Sequence, residues 1–316
     1  KPQTPQPFPS PLTLSYKCGL RATVSSEDRS WEPNLATSLL LSLGTGAVAT
    51  VLTHPLELSK TKIQIYNEGV GMHQRGVANG YSTFRLFQNF LARGYGPEVL
   101  FTGLSAALQA RLSYLAVRNT LYKFIYDHFK PVKKTNDLTH REKGVIAALA
   151  GGAGTLVSNR YECAFVRRAG DLGREGQFVR ENVFRNPLAG LHFHLLRAVM
   201  FNGFSIYIYD QAKERYWNTF GDTAFGKPWG CLCVALFAWV FILPIDSLKT
   251  RIQYRHANAA LNRLPYPSLS SYLHRTLVNE GFNTFYAGSI PFILRTFLYS
   301  VCTVWLCDLV TPGGGR

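Results

Sequence analysis

Acidic residues are scarce in this chain: 19 Asp and Glu stand against 34 Lys and Arg in 316 residues, for a net charge of +15. That excess follows no nucleic-acid motif, and the basic residues are scattered, so no nucleic-acid partner is expected. Lys and Arg flanking apolar spans point instead to an anionic lipid surface. No Gly-rich phosphate loop follows a strand pattern, and no Ser, His and Asp stand as a nucleophilic triad, so an enzyme is not expected and no catalytic residue is assigned. Of the six cysteines (Cys18, Cys163, Cys231, Cys233, Cys302 and Cys307), neither Cys231-x-Cys233 nor the Cys302/Cys307 pair has metal-ligand spacing or a nearby His. They are read as small packing residues, with no metal or cofactor implied. His192-x-His194 is read as a packed or interfacial pair.

Runs without formal charge are present. Pro33–Leu56 holds 24 residues without Asp, Glu, Lys or Arg, Pro228–Ile245 holds 18, and Gly144–Asn159 adds 16 rich in Gly and Ala. A spanning helix needs about 20 mostly apolar residues, so the first two qualify and the third is marginal. Mean hydropathy near zero then fits a membrane protein whose helices keep a wet face. Residues 1–32, beginning "KPQTPQPFPSP", and 311–316 are read as tails.

Internal repeats organise the rest. "HPLELSKTKIQ" at 54–64 and "LPIDSLKTRIQ" at 243–253 share a proline, an acid and a base at the same offsets: Pro55, Glu57 and Lys60, then Pro244, Asp246 and Lys249. A third copy, "RYECAFVRR" at 160–168, keeps Glu162 as the acid, but Arg160 replaces the proline and Phe165 the base. Gly103, Gly190 and Gly288 mark the same period, with Ala110, Arg197 and Arg295 seven residues after them. The units are 33–130, 141–217 and 227–310, each an odd helix, a connection and an even helix.

At these residues the chain resembles the mitochondrial carrier family, and within it the oxoglutarate/malate branch. The signals are the repeated P-x-[DE]-x-x-[KR] motif, "TGLSA" at 102–106, Arg118, "ECAFVR" at 162–167 and "RAVMFN" at 197–202. The resemblance implies an all-α fold of six transmembrane helices in three pseudo-threefold repeats. It places the protein in the mitochondrial inner membrane with both termini toward the intermembrane space. Pro55 and Pro244 would bend odd helices, and acid and base at i and i+3 would share a helix face. The resemblance pairs Glu162 with Lys249 and Asp246 with Lys60 in a matrix gate, and leaves Glu57 unpaired opposite Phe165. A cytosolic gate would use Asp210, Lys213 and Asp308, although helix-end charges at the headgroups account for these residues equally well.

Ionisable residues inside spans are functional candidates because burying them is costly. Arg197 and Arg295 are such candidates; the resemblance makes them substrate contacts and adds Arg118 and Asn202. Converging arginine forks favour a dicarboxylate over a nucleotide. Arg111 adjoins Ala110 but is turned about 100° around the helix, so it is not assigned to the cavity. The connection from Arg167 to Gly190 spans 23 residues, against 41 from Lys62 to Gly103 and 37 from Arg251 to Gly288. Repeat two is therefore expected to lose its amphipathic matrix helix, uncovering Phe165, Val166, Leu188 and Phe193 for a docking subunit. These departures favour a transport-degenerate accessory subunit of a larger inner-membrane complex, such as a respiratory complex. An active 2-oxoglutarate/malate-type exchanger is the alternative. Cardiolipin is the expected lipid partner in either case.

Overall fold

The computed structural model describes residues 35–66, 97–129, 140–170, 187–221, 225–259, 274, 276–278 and 281–310. Six long helices dominate: α1 (Leu35–Tyr66), α2 (Leu104–Phe129), α3 (His140–Gly170), α4 (Leu191–Phe220), α5 and α6 (Ser289–Val310). Helix α5 comprises Gly226–Phe237, a π-helical turn at Ala238–Ile242, and Leu243–Ala259. Each helix packs on the next and α6 closes back on α1, which makes a ring. The three odd helices also touch one another, converging at the end that carries the proline motifs. The chain is thus an all-α membrane bundle. Three of its stretches, Ala36–Ile65, Gly226–Tyr254 and Phe282–Leu306, are long and apolar enough to cross a bilayer by composition alone. Helices α2, α3 and α4 carry more ionisable side chains, including Arg111, Arg118, Glu162 and Arg197, which line a central cavity.

Both prolines lie inside continuous helix, and at Pro244 the surroundings absorb the break. Pro244 has no N–H to give the carbonyl four residues back. The π-helical turn immediately precedes it, and Tyr286 Oη donates to the orphaned Val240 carbonyl at 3.0 Å. In the motif copy at 160–168, α3 runs unbroken through Arg160, which is exposed.

Short turns ending in a left-handed glycine lead into the even helices. Gly103, Gly190 and Gly288 have φ of 78°, 64° and 80°. Each sits against the odd helix of the following repeat: Gly103 beside Phe165, Gly190 beside the Lys249 carbonyl, and Gly288 beside the Lys60 carbonyl. These three neighbours are the base positions of the three motif copies, so the pseudo-threefold relation extends to atomic contacts.

The expected uncovered surface in repeat two is corrected at three of four residues. Phe165 and Val166 are buried among Leu58, Ala106 and Ala107, and Phe193 packs with Leu248, Ile252 and Phe285. They face neighbouring helices rather than the bundle's rim. Only Leu188 is exposed. The second matrix helix and both tails fall outside the described residues.

Gly190→Ala would force a side chain into a left-handed backbone, at a cost of about 1–2 kcal/mol. It would also put a Cβ 3.2 Å from Gln253 Cγ. Thermal unfolding in detergent should therefore show a lower Tm for Gly190→Ala than for the parent protein. An unchanged Tm would remove the argument.

Candidate functional site

The even helices line the cavity with one repeated pattern. On α2 the lining residues are Ala107, Ala110, Arg111, Tyr114, Leu115 and Arg118. On α4 they are His194, Arg197, Ala198, Phe201, Asn202 and Ser205, and on α6 Phe292, Arg295, Thr296, Tyr299, Ser300 and Thr303. Counted from Gly103, Gly190 and Gly288, these occupy the same six offsets in all three helices, the i, i+3, i+4, i+7 spacing of one helical face. The odd helices add Thr50, Glu57, Ser158, Glu162, Cys231, Val234 and Ile242. The cavity measures about 140 Å³, similar to an engineered protein cavity of about 150 Å³ that admits benzene.

At the motif end, three carboxylates engage four cations. Lys60 Nζ lies 2.5 Å from Asp246 Oδ2, and Arg197 Nε lies 2.8 Å from Asp246 Oδ1. Lys249 Nζ is 2.6 Å from Glu162 Oε1, and Arg295 Nη2 is 2.6 Å from Glu57 Oε1. Asp246 on α5 thus ties α1 to α4, Glu162 links α3 to α5, and Glu57 links α1 to α6. Glu57 is therefore not unpaired. Phe165 supplies no charge, and a long arginine from α6 reaches the acid instead. Arg197 and Arg295 combine two positions: they line the cavity and contact the motif carboxylates.

Beside them, polar side chains fix a second arginine cluster. Arg118 Nη1 donates to Asn202 Oδ1 at 3.3 Å and Nε donates to Asn119 Oδ1 at 3.3 Å. Asn202 Nδ2 donates to Tyr114 Oη at 2.7 Å, and Asn119 Nδ2 to Ser42 Oγ at 2.8 Å. Gly151 makes the first of these possible, because a Cβ there would sit 2.4 Å from Asn202 Nδ2. Arg118 and Asn202 are brought together in this way.

Two features escape sequence reasoning. Arg111 lines the cavity, contrary to the one-residue rotation argument. The equivalent Ala198 and Thr296 line it as well, so the cavity-facing stripe is wide enough for both neighbouring offsets. The usable signal was the i, i+4, i+7 series Ala107, Arg111, Tyr114. The second is a buried network at the motif end: His194 Nδ1 lies 2.9 Å from Asn159 Oδ1, which also accepts from Gln253 Nε2 at 3.2 Å. Asn159 Nδ2 donates to the Pro187 carbonyl at 2.6 Å, fixing the turn before α4. His54, one residue before Pro55, holds the equivalent turn in repeat one through the Thr102 carbonyl at 3.2 Å.

Of the cytosolic-gate candidates, Lys213 is buried with Nζ 4.3 Å above the Trp217 ring, and Asp210 is half-buried one turn earlier. The Asp308 side chain lies outside the described residues.

Asp246→Asn would strip the carboxylate from Lys60 and Arg197 together. Breaking a buried pair in this way costs about 3–5 kcal/mol. Adding Lys60→Gln should recover part of the loss, because the uncompensated lysine goes with it. Thermal unfolding of both variants in detergent checks the order; a double variant no more stable than Asp246→Asn would contradict it.

Comparison with known proteins places this geometry. The family model for mitochondrial carrier proteins matches residues 32–133 and 228–311. A probable mitochondrial 2-oxoglutarate/malate carrier protein of Dictyostelium discoideum is 27% identical over 267 residues, covering 79% of this chain and 81% of that protein. A mitochondrial 2-oxoglutarate/malate carrier protein of Caenorhabditis elegans is 23% identical over 275 residues, covering 82% and 86%. Mitochondrial brown fat uncoupling protein 1 of Mesocricetus auratus is 27% identical over 284 residues, covering 83% and 87%. With its ring of six helices, its repeated motifs and this match over more than half its length, the chain belongs to the mitochondrial carrier family.

Proposed function

We propose that this protein exchanges dicarboxylates of the 2-oxoglutarate/malate type across the mitochondrial inner membrane, acting as a transporter rather than an enzyme. One observation carries the reading: Arg197 and Arg295 line a small central cavity while each touches a motif carboxylate. Named relatives that are 2-oxoglutarate/malate carriers support the same substrate class. Asp246 and Glu57 stand in for substrate carboxylates on these two arginines. A bound diacid would compete with them, since guanidinium forks bind carboxylates in two-point fashion. Each arginine drawn to substrate loosens one tie at the motif end, and that loosening is the step an exchanger needs to open there. Both termini would face the intermembrane space.

The accessory-subunit reading rested on lost motif elements. Three features now weigh against it. Phe165 is buried in an apolar cluster, Glu57 has Arg295, and Arg111 lines the cavity near the missing arginine of Ala110. The departures are compatible with a working cavity.

Reconstituted protein is expected to exchange malate for 2-oxoglutarate, and Arg197→Ala to abolish the exchange. That change removes a charge-assisted contact worth about 1.5–3 kcal/mol. Malate at 100 times its dissociation constant should also stabilise the protein by about 2.7 kcal/mol in thermal unfolding. Uptake no greater than in empty liposomes, with no malate-dependent shift, would overturn the exchanger and return the subunit reading.

A further inference from the structure

Among the cavity arginines, Arg111 differs in the company it keeps. Arg197 and Arg295 each contact a carboxylate of the protein itself. Arg118 is 3% exposed and hydrogen bonded to Asn119 and Asn202. Arg111 donates Nε to Tyr299 Oη at 2.8 Å, and its Cζ stands 4.2 Å from the Tyr299 ring centroid and 5.6 Å from that of Tyr114. Its contacts among the described residues are thus aromatic and hydroxyl groups, and no carboxylate is paired with it.

An arginine inside a membrane protein without a counter-charge is expensive to keep. The two tyrosines reduce that cost, because ring faces attract a guanidinium, and they hold its plane in one orientation. The hydrogen bond uses Nε, so both terminal nitrogens remain for a ligand. Neighbouring space suits one too. At the equivalent offset on α4 and α6 stand the small neutral Ala198 and Thr296.

We propose that Arg111 is a substrate-binding, specificity-determining residue, one that takes a carboxylate of the diacid in place of an arginine at Ala110. Tyr299 and Tyr114 orient it for a two-point grip. The inference rests on the exchanger reading and adds a third anchor to it. Because Arg197 and Arg295 start out engaged with Asp246 and Glu57, Arg111 meets an incoming carboxylate without displacing a protein acid. The substrate then holds one end on α2 while its other end competes for the arginines of α4 and α6.

The test is the concentration dependence of 2-oxoglutarate/malate exchange in liposomes. Arg111→Ala is expected to raise KM about tenfold or more, the size expected for a lost charge-assisted contact. Arg111→Lys keeps the charge but not the fork and should fall between the two. Restoring the arginine one residue earlier, in Ala110→Arg/Arg111→Ala, should bring KM back toward wild type, because both offsets face the cavity. Tyr299→Phe separates binding from bracing: it removes only the Oη contact and should raise KM less than Arg111→Ala. An active wild type whose KM is unmoved by Arg111→Ala and Arg111→Lys overturns this inference alone. So does a Tyr299→Phe variant as impaired as Arg111→Ala, which would make Arg111 a brace between α2 and α6. A wild type without exchange sinks the exchanger reading and this inference with it.

Discussion

A charge held within the bilayer must meet an opposite charge or a dense set of polar groups, and this bundle is arranged around that requirement. Asp246 meets it most economically. Nearly buried itself, it receives Lys60 from α1 and Arg197 from α4, so one carboxylate on α5 joins three helices. Glu162 and Glu57 extend the connection to α3 and α6. The convergence of the odd helices makes these short contacts possible, and the contacts in turn hold the helices together. The left-handed glycines serve the same geometry, because they let the turns before α2, α4 and α6 lie against the next odd helix.

Against that background the broken second motif is a smaller change than its sequence suggests. Replacing a buried ion pair with well-packed apolar groups is often neutral or stabilising, whereas removing one partner alone is costly. Phe165 replaces a base by filling space: it is 1% exposed, with Ala164 and Leu58 in its cluster and the His54 ring edge-on at 5.7 Å. The acid it would have neutralised is supplied by Arg295. Both halves of the lost pair are thus accommodated, one by packing and one by a substitute cation.

Much of the framework was legible because it is periodic. The spacing of Gly103, Gly190 and Gly288 indexed the even helices well enough that six cavity offsets recur in each. Pro55 and Pro244, with their acids and bases, marked where the odd helices come together. Two things were hidden. Glu57–Arg295 joins residues 238 positions apart through a side chain two turns into its helix, and no motif register encodes so long a reach. Arg111 was discarded on a rotation of about 100°, yet a stripe that wide is what one helix presents to a cavity. The polar network of Asn159, His194 and Gln253 was also invisible, since each residue alone reads as ordinary packing.

The pairing of Glu57 with Arg295 has a mechanical consequence that a fully matched gate would lack. With a base at position 165, the acids of the odd helices would be satisfied by odd-helix cations, and the arginines of the even helices would be spare. Here the cation satisfying Glu57 is itself a cavity arginine, and Arg197 likewise shares Asp246 with Lys60. The ties at the motif end and the lining of the cavity therefore draw on the same two guanidinium groups. On the exchanger reading proposed above, a diacid held at one end by Arg111 would offer its free carboxylate to Arg197 and Arg295. A ligand with a single carboxylate held there would offer none, and both arginines would stay on their acids. Selectivity for diacids would then reside in the closing contacts as well as in the walls of the cavity.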